Sequence, residues 1–216
     1  YREGFMCGNG IRCVADYIYN ILKKDRLLID TRDGLKEILR VGENLYQVNM
    51  GKFRYEMRDL KKFFKGNFPD DEKLFDKEII FPKLGKVKVS IVSTGEPHAV
   101  IFVKDVEKED INKYGNIITK NFQLFPYGIC TNLCQVIDNE TIKVRTYEAG
   151  VYYETMACGT GATACAAVAH FTGRVKNNKV KVITRGGEII IEVREDSLLM
   201  TGPAYPVFKG EIILSI

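Results

Sequence analysis

The feature that most constrains this chain is a short motif that occurs twice. Cys-Gly-x-Gly begins at Cys7 and again at Cys158, and each copy runs into a stretch with helical character. After each stretch come a hairpin pattern and a strand that ends at a glycine, so the same order of elements recurs in both halves. An internal repeat of this kind predicts two similar α+β domains related by a pseudo-twofold axis. The two Cys-Gly-x-Gly turns would then meet at the domain interface.

Apolar periodicity and turn residues predict the elements of each half. In the first half we expect, in order, a helix over 10–22, hairpin strands over 27–32 and 35–41 around an Asp-Gly turn, and a strand over 45–51. In the second half we expect strands over 87–92, 99–103, 130–137 and 141–147, a helix over 111–122, a helix from the second motif to 171, a hairpin of 180–184 and 188–193, and a strand over 198–202.

The domain limits follow from these elements and from a polar connector over 58–77. We predict one domain over 1–84, a second over 85–208, and a terminal strand over 209–216 that returns to the first domain. The first helix carries one apolar stripe, formed by Val14, Tyr17, Ile18, Ile21 and Leu22.

Composition excludes few functions but favours an ordinary globular protein. The 216 residues are 45% hydrophobic and 28% charged, and a net charge of +4 is spread along the chain, which favours solvated surface over a nucleic-acid interface. No apolar run approaches the roughly 20 residues of a membrane-spanning helix. Six cysteines in a chain of this size favour reduced thiols over disulfides. The sequence contains no Cys-x-x-Cys, and its two histidines are isolated, so a zinc site is not expected.

The positions of Cys7 and Cys158 indicate acid–base chemistry. Each precedes a helix N-terminus, whose unpaired N–H groups and partial positive charge bind a carboxylate and lower the pKa of a thiol. Two thiols around one bound carboxylate can invert a carbon, because one removes the α-proton and the other protonates the opposite face. This scheme requires no cofactor.

Two alternatives to this interpretation follow from the residues. A buried structural cysteine fits Cys13 and Cys165 better than it fits the two motif cysteines. A phosphate-binding loop would need a following Gly-Lys-Ser/Thr, which neither motif has.

The motifs Met-Cys-Gly-Asn-Gly-Ile-Arg-Cys at 6–13 and Ala-Cys-Gly-Thr-Gly-Ala at 157–162 together resemble the diaminopimelate epimerase family. The resemblance covers nearly the whole chain. It implies a cytoplasmic, cofactor-independent isomerase of amino-acid metabolism, acting in lysine and peptidoglycan-precursor synthesis. It also implies two pseudo-symmetric domains, each a curved, mostly antiparallel sheet around a central helix, and a homodimer. The implied partner is a small amino-acid substrate, with no metal, nucleic acid or membrane.

The same resemblance assigns roles to individual residues. Cys7 and Cys158 match the catalytic pair, and His98 and Glu148 match side chains that support catalysis. The matches to substrate-binding positions are Gly8, Asn9, Glu96, Asn132, Ala149, Gly159 and Thr160. Without the resemblance, His98 would be interpreted as a core histidine, Glu148 as a solvated strand end and Asn132 as a turn residue.

The sequence departs from the family pattern in three places, and two of them bear on the substrate. The family's early Gly-Asn-Asp-Phe segment is missing from this sequence, and Glu96 replaces the Asn of Asn-Pro-His. The family's Glu-Arg-Gly-x-Gly-Glu-Thr is replaced by 148–155, where Ala149 stands in place of the Arg. That Arg resembles the partner of a distal carboxylate, so an amino acid with a neutral or cationic far end, such as histidine or lysine, is an alternative substrate. A non-catalytic binder of small carboxylates is the alternative from a different functional class.

Overall fold

The computed structural model describes residues 4–211 of the chain. The elements of these residues are α1 (Gly8–Leu22), β1 (Arg26–Thr31), β2 (Gly34–Gly42), β3 (Leu45–Gly51), α2 (Met57–Leu60), β4 (Lys77–Phe81), β5 (Gly85–Ser93), β6 (Pro97–Phe102), α3 (Ile111–Ile118), β7 (Cys130–Val136), β8 (Thr141–Tyr147), β9 (Glu154–Thr155), α4 (Gly159–Phe171), β10 (Lys179–Thr184), β11 (Gly187–Val193) and β12 (Leu198–Pro203).

The strands form one continuous hydrogen-bonded path. Its order is β1-β2-β3-β12-β11-β10-β8-β7-β6-β5-β4, with β9 paired to β8. Within residues 4–211 two of these pairs, β6–β7 and β8–β10, are parallel, and the others are antiparallel. The mostly antiparallel α+β fold is therefore confirmed. The sequence patterns did not predict β4 or the two parallel pairs.

The internal repeat is visible in the structure. Strands β1–β3 follow α1, strands β10–β12 follow α4, and the two units join edge to edge where β12 pairs with β3, with Met200 opposite Val48. Cys7 and Cys158 are both helix N-caps in extended backbone, with φ/ψ of −125°/107° and −117°/111°. The repeated motif thus folds into the same turn twice.

The two repeat helices differ in how far they are covered. Every residue of α4 from Gly159 to Ala169 is buried, because strands from β5 to β12 contact this helix. Helix α1 contacts β3, β12 and α4 and buries Ile11 and Ala15 against them. Its predicted apolar stripe faces the other way, and Val14, Tyr17 and Ile21 are exposed. In the second half, the strands that cover α4 include β5–β8, which precede that helix in the chain.

The predicted domain limits fall at recognisable places in this path. The boundary between residues 84 and 85 lies at the turn of the β4–β5 hairpin, so β4 extends the sheet of the second half. Residues 209–211 form no helix or strand, and the remainder of the terminal strand predicted over 209–216 lies outside the described residues. No helix in the described part of the chain is long and apolar enough to cross a membrane.

Candidate active site

The N-termini of α1 and α4 meet at the junction of the two repeats. A Cβ atom added at Gly8 would lie 3.0 Å from the Cα atom of Gly159, and one added at Gly159 would lie 3.0 Å from the Cα atom of Gly8. The side chain of Met200 packs against both positions. Only glycine at both places allows the two helix starts to approach this closely.

The two predicted cysteines open onto one cavity of about 200 Å³ between these helix starts. The Sγ atom of Cys7 accepts a hydrogen bond from the N–H of Gly10 at 3.3 Å, and the Sγ atom of Cys158 accepts one from Gly161 at 3.4 Å. Cys7 is exposed, whereas Cys158 is buried apart from this cavity. The structure therefore brings the two thiols to the same space.

Four further predicted residues line the cavity. Gly8 and Asn9 begin α1, and Gly159 and Thr160 begin α4. The N–H groups of the first helical residues have no acceptor within their own helix, and each helix start carries roughly half a positive charge. Such a pair of helix starts can bind one carboxylate.

The rest of the wall contains three more predicted residues, Glu96, Glu148 and Ala149. The Oε1 atom of Glu96 accepts hydrogen bonds from the backbone N–H groups of Phe5 and Met6, which precede Cys7. The Oε1 atom of Glu148 accepts one from the hydroxyl of Thr155. Both carboxylates thus accept hydrogen bonds from neighbouring donors in the wall of the cavity.

The segment that leads into Cys158 is tied to α1 by side chains. The amide of Asn9 donates to the carbonyl of Ala157 at 2.9 Å. The buried guanidinium of Arg12 donates to the Oδ1 atom of Asn9 at 3.2 Å and to the carbonyl of Gly8 at 3.1 Å. The relative position of the two thiols is therefore fixed by hydrogen bonds across the junction as well as by close packing.

Two predicted site residues, His98 and Asn132, do not line the cavity. Both are fully buried, and the Nδ2 atom of Asn132 lies 3.2 Å from the Nδ1 atom of His98. The same amide reaches the carbonyls of Ala99 and Cys130 at 3.1 Å. A Cβ atom at Gly161 would lie 2.5 Å from the Oδ1 atom of Asn132. Asn132 therefore packs directly against the backbone at the start of α4, and His98 lies next to Asn132.

Burial lowers the pKa of His98 to about 3, so the native imidazole is neutral above that pH. The unfolded chain binds a proton at its histidines near pH 6.5, and the native state does not bind one at His98. His98 is therefore expected to lower the free energy of unfolding by about 1.4 kcal/mol for each pH unit by which the pH is reduced from 6.5 to 3.

Proton NMR can follow the imidazole directly, because the chain holds two histidines and a His170→Gln variant leaves the signals of His98 alone. We expect those signals to stay constant from pH 8 to pH 4 while the protein remains folded. A titration centred near pH 6.5 would contradict the buried neutral state.

The structure corrects one expectation about Cys158. The helix start was expected to lower the pKa of this thiol, but its pKa lies well above the ordinary range. The largest cause is a hydrogen bond with Cys130, followed by burial, and a hydrogen bond with Thr160 offsets them only in part. Burial removes the thiolate from water, which disfavours the charged form.

Sequence reasoning missed Cys130. This residue begins β7, is buried, lines the cavity, and its Sγ atom accepts a hydrogen bond from the N–H of Ala149 at 3.4 Å. A single cysteine in a strand is typical of a protein core, so the pattern gave no reason to prefer it. The available signal was the strand alternation, which places Cys130 and Asn132 on one face of β7. The first of these, at the strand end, reaches the cavity.

The described residues hold no arrangement typical of a metal centre. Among residues 4–211, no group of three or more His, Cys, Asp and Glu side chains is placed to hold a metal ion. All six cysteines are free thiols. The side chains that line the cavity include two thiols of the repeated motif and two carboxylates.

Comparisons with known proteins agree with this geometry. A family model for diaminopimelate epimerase matches residues 90–207. The diaminopimelate epimerase of Methanocaldococcus jannaschii is 36% identical over 98% of this chain and 75% of its own length. That of Alkaliphilus metalliredigens is 35% identical over 99% of this chain and 75% of its own length. The solved structure of a probable proline racemase from Agrobacterium radiobacter superposes with a TM-score of 0.68 at 16% identity, covering 98% of this chain and 69% of that one, and shows a shared fold.

The fold and these relatives define an isomerase of the amino-acid epimerase and racemase class. The chain belongs to the diaminopimelate epimerase family. The family resemblance and the enzyme class expected from the two cysteine motifs are thereby confirmed.

Proposed function

We propose that this enzyme inverts the α-carbon of an amino acid with Cys7 and Cys158 as the two bases. The observation that carries the proposal is the shared cavity, in which both N-cap thiols open beside two facing helix starts. The named activity of the relatives, diaminopimelate epimerisation, makes diaminopimelate the first candidate substrate. A homodimer and a cytoplasmic location remain predictions from the family resemblance.

The proposed reaction moves one proton off the substrate and one proton on. The thiolate of one cysteine removes the α-proton and becomes a thiol. The electron pair left on the α-carbon delocalises into the carboxylate, which the N–H groups at the starts of α1 and α4 stabilise as its negative charge grows. The thiol of the other cysteine then protonates the opposite face and becomes a thiolate. Atoms and charge balance without a cofactor, and solvent exchange of the thiols resets the enzyme.

The environment of the two thiols suggests how the resting protons are distributed. Because a hydrogen bond with Cys130 and burial raise the pKa of Cys158, this residue rests as the thiol. It is therefore ready to donate a proton when Cys7 acts as the base. Cys130 is a positioning residue in this scheme, because it acts through Cys158 rather than on the substrate.

A Cys130→Ala variant is expected to move one limb of the pH–rate profile to lower pH. Removing the Cys130 thiol removes the largest cause of the raised pKa of Cys158. The pKa of Cys158 then falls, and the limb that reports its ionisation shifts in the same direction whether this residue acts as acid or as base.

The measurement is kcat/KM against pH in both directions of inversion. Cys134→Ala is the matched control, because this buried cysteine lies on the same strand but does not line the cavity. An unchanged profile in Cys130→Ala, or an equal shift in the control, would remove Cys130 from the account.

Chiral chromatography tests the proposed function itself. Single enantiomers of free amino acids and of diaminopimelate are incubated with the protein, and the opposite configuration is measured over time. Inversion of at least one substrate is expected. A protein that only binds small carboxylates would bind such ligands with no inversion of any of them.

A further inference from the structure

We propose that Arg12 is a positioning residue for inversion, which joins the start of α1 to the second repeat and so holds the two thiols at the separation that the reaction requires. This inference rests on the proposed function and adds a residue to it. Arg12 does not line the cavity, so it acts through its neighbours rather than on the substrate. The observation that carries it is a buried guanidinium with bonds on both sides of the junction.

The contacts of this guanidinium divide between the two repeats. On the side of α1, Nη1 donates to the carbonyl of Gly8 at 3.1 Å and Nη2 donates to the Oδ1 atom of Asn9 at 3.2 Å. On the side of β12, Nε donates to the carbonyl of Pro203 at 3.3 Å, and Nη1 lies 3.5 Å from the Sδ atom of Met200. Because the donors of a guanidinium form a rigid fork, one side chain can hold both sides at once.

The guanidinium is also closely packed against β12. A Cβ atom added at Gly202 would lie 3.2 Å from the Cζ and Nε atoms of Arg12. The neighbouring Met200 side chain packs against both Gly8 and Gly159, where the two helix starts meet. A change at Arg12 therefore reaches both helix starts through this methionine.

A second path runs from Arg12 to the segment that precedes Cys158. A guanidinium has no acceptor, so the Asn9 amide must turn its oxygen toward Arg12. The nitrogen of that amide then points the other way, and it donates to the carbonyl of Ala157 at 2.9 Å. Since Ala157 directly precedes Cys158, the guanidinium fixes the amide bond that ties the second thiol to α1.

Comparison of the two repeats separates the local role of Arg12 from its role at the junction. The equivalent position in α4 is Thr163, five residues after the motif cysteine in each copy. The hydroxyl of Thr163 donates to the carbonyl of Gly159 at 2.8 Å, just as Arg12 donates to the carbonyl of Gly8. A small hydroxyl therefore suffices for the bond within the helix. The length of the arginine serves the bonds to β12 and to Asn9.

This placement has a consequence for the fate of the substrate proton. Inversion needs both thiols within reach of the α-carbon, and a misplacement of about 1 Å can cost about 10²-fold in rate. Without Arg12, one thiol can still remove the proton and return one to the same face, whereas protonation of the opposite face fails. Because Cys7 is exposed, its thiol can exchange its proton with solvent before returning it. Loss of Arg12 should therefore favour solvent exchange with retention over inversion.

Two variants test this consequence in D₂O. Arg12→Lys keeps the charge and loses the fork, and Arg12→Thr copies the residue of the second repeat. Each reaction starts from a single configuration of a substrate that the wild-type enzyme inverts, with diaminopimelate tried first; chiral chromatography measures inversion and NMR measures α-deuterium in the recovered substrate. We expect kcat for inversion to fall about 10²-fold. The ratio of exchange with retention to inversion should rise at least about tenfold from at least one starting configuration.

Arg174→Lys is the control, because this arginine follows the C-terminal end of α4 and bonds to Asp76 away from the cavity. It should leave the ratio unchanged. An unchanged ratio in both Arg12 variants overturns the inference and leaves the two-base function standing. Loss of folding in both variants, measured by thermal unfolding, also overturns it, because Arg12 would then serve stability. A wild-type enzyme that inverts no substrate overturns the proposed function and this inference with it.

Discussion

Replacing Cys7 or Cys158 by alanine is expected to lower kcat for inversion by about 10²–10⁴-fold in both directions, the range typical of a lost general acid or base. Each thiol serves as the base in one direction and as the acid in the other, so neither direction survives the loss of either residue. Binding should persist, because the helix starts that hold the carboxylate supply backbone N–H groups rather than thiols. Chiral chromatography of both enantiomers measures the rates, and calorimetric titration measures binding.

Cys13→Ala is the matched control for these variants. Cys13 lies on α1 six positions after Cys7, is exposed, and does not line the cavity. Its removal should leave kcat within about twofold of the wild type, since surface substitutions away from functional features have small effects. A Cys7→Ala or Cys158→Ala variant with normal activity would contradict the assignment of that residue as a base.

Replacing Glu154 by alanine is expected to lower the free energy of unfolding by about 3–5 kcal/mol, the typical cost of breaking a buried ion pair. The guanidinium of Arg145 makes two bonds to this carboxylate, at 2.7 and 2.9 Å. It also donates to the carbonyls of Val106 and Glu109 at 2.6 and 3.0 Å. The side chains of Arg145 and Glu154 are 8% and 13% exposed, so the variant leaves a charge in the interior without its partner.

Thermal and urea unfolding measure this loss, and a chain of this size should lose about 2–4 °C of Tm per kcal/mol. The exposed pair Arg26–Glu37 is the matched control, because it joins β1 to β2 at the surface. Glu37→Ala should cost no more than about 1 kcal/mol. A Glu154→Ala variant as stable as the Glu37→Ala variant would contradict the structural role given to the buried pair.

The fold was predictable from sequence because it is repeated. A single Cys-Gly-x-Gly turn followed by a helix, a hairpin and a strand is weak evidence for a fold. Two copies in the same order are stronger evidence, because each copy supports the interpretation of the other. The same repeat identified Cys7 and Cys158, because a thiol before a glycine-flanked helix start has few structural reasons to recur. Glu96, Glu148 and Ala149 came from the family resemblance, and the structure places all three in the cavity wall.

What could not be predicted depends on contacts between distant segments. The parallel pairings of β6 with β7 and of β8 with β10 join strands separated by long connections, which local periodicity does not report. Cys130 lines the cavity and Asn132, two positions later on β7, does not, and no local sequence pattern distinguishes the two. The raised pKa of Cys158 arises from a neighbour 28 positions earlier in the chain, and no local motif encodes that contact.

The most direct test of two-base inversion is the isotopic content of both enantiomers early in a reaction run in D₂O, starting from one enantiomer of a substrate that the enzyme inverts. The thiol that protonates the product carries deuterium from solvent, whereas the opposite thiol receives the substrate's own proton. We therefore predict that the first product is fully deuterated at the α-carbon while the remaining substrate keeps its proton. Equal deuteration of substrate and product from the start would show a single base serving both faces and would contradict the account.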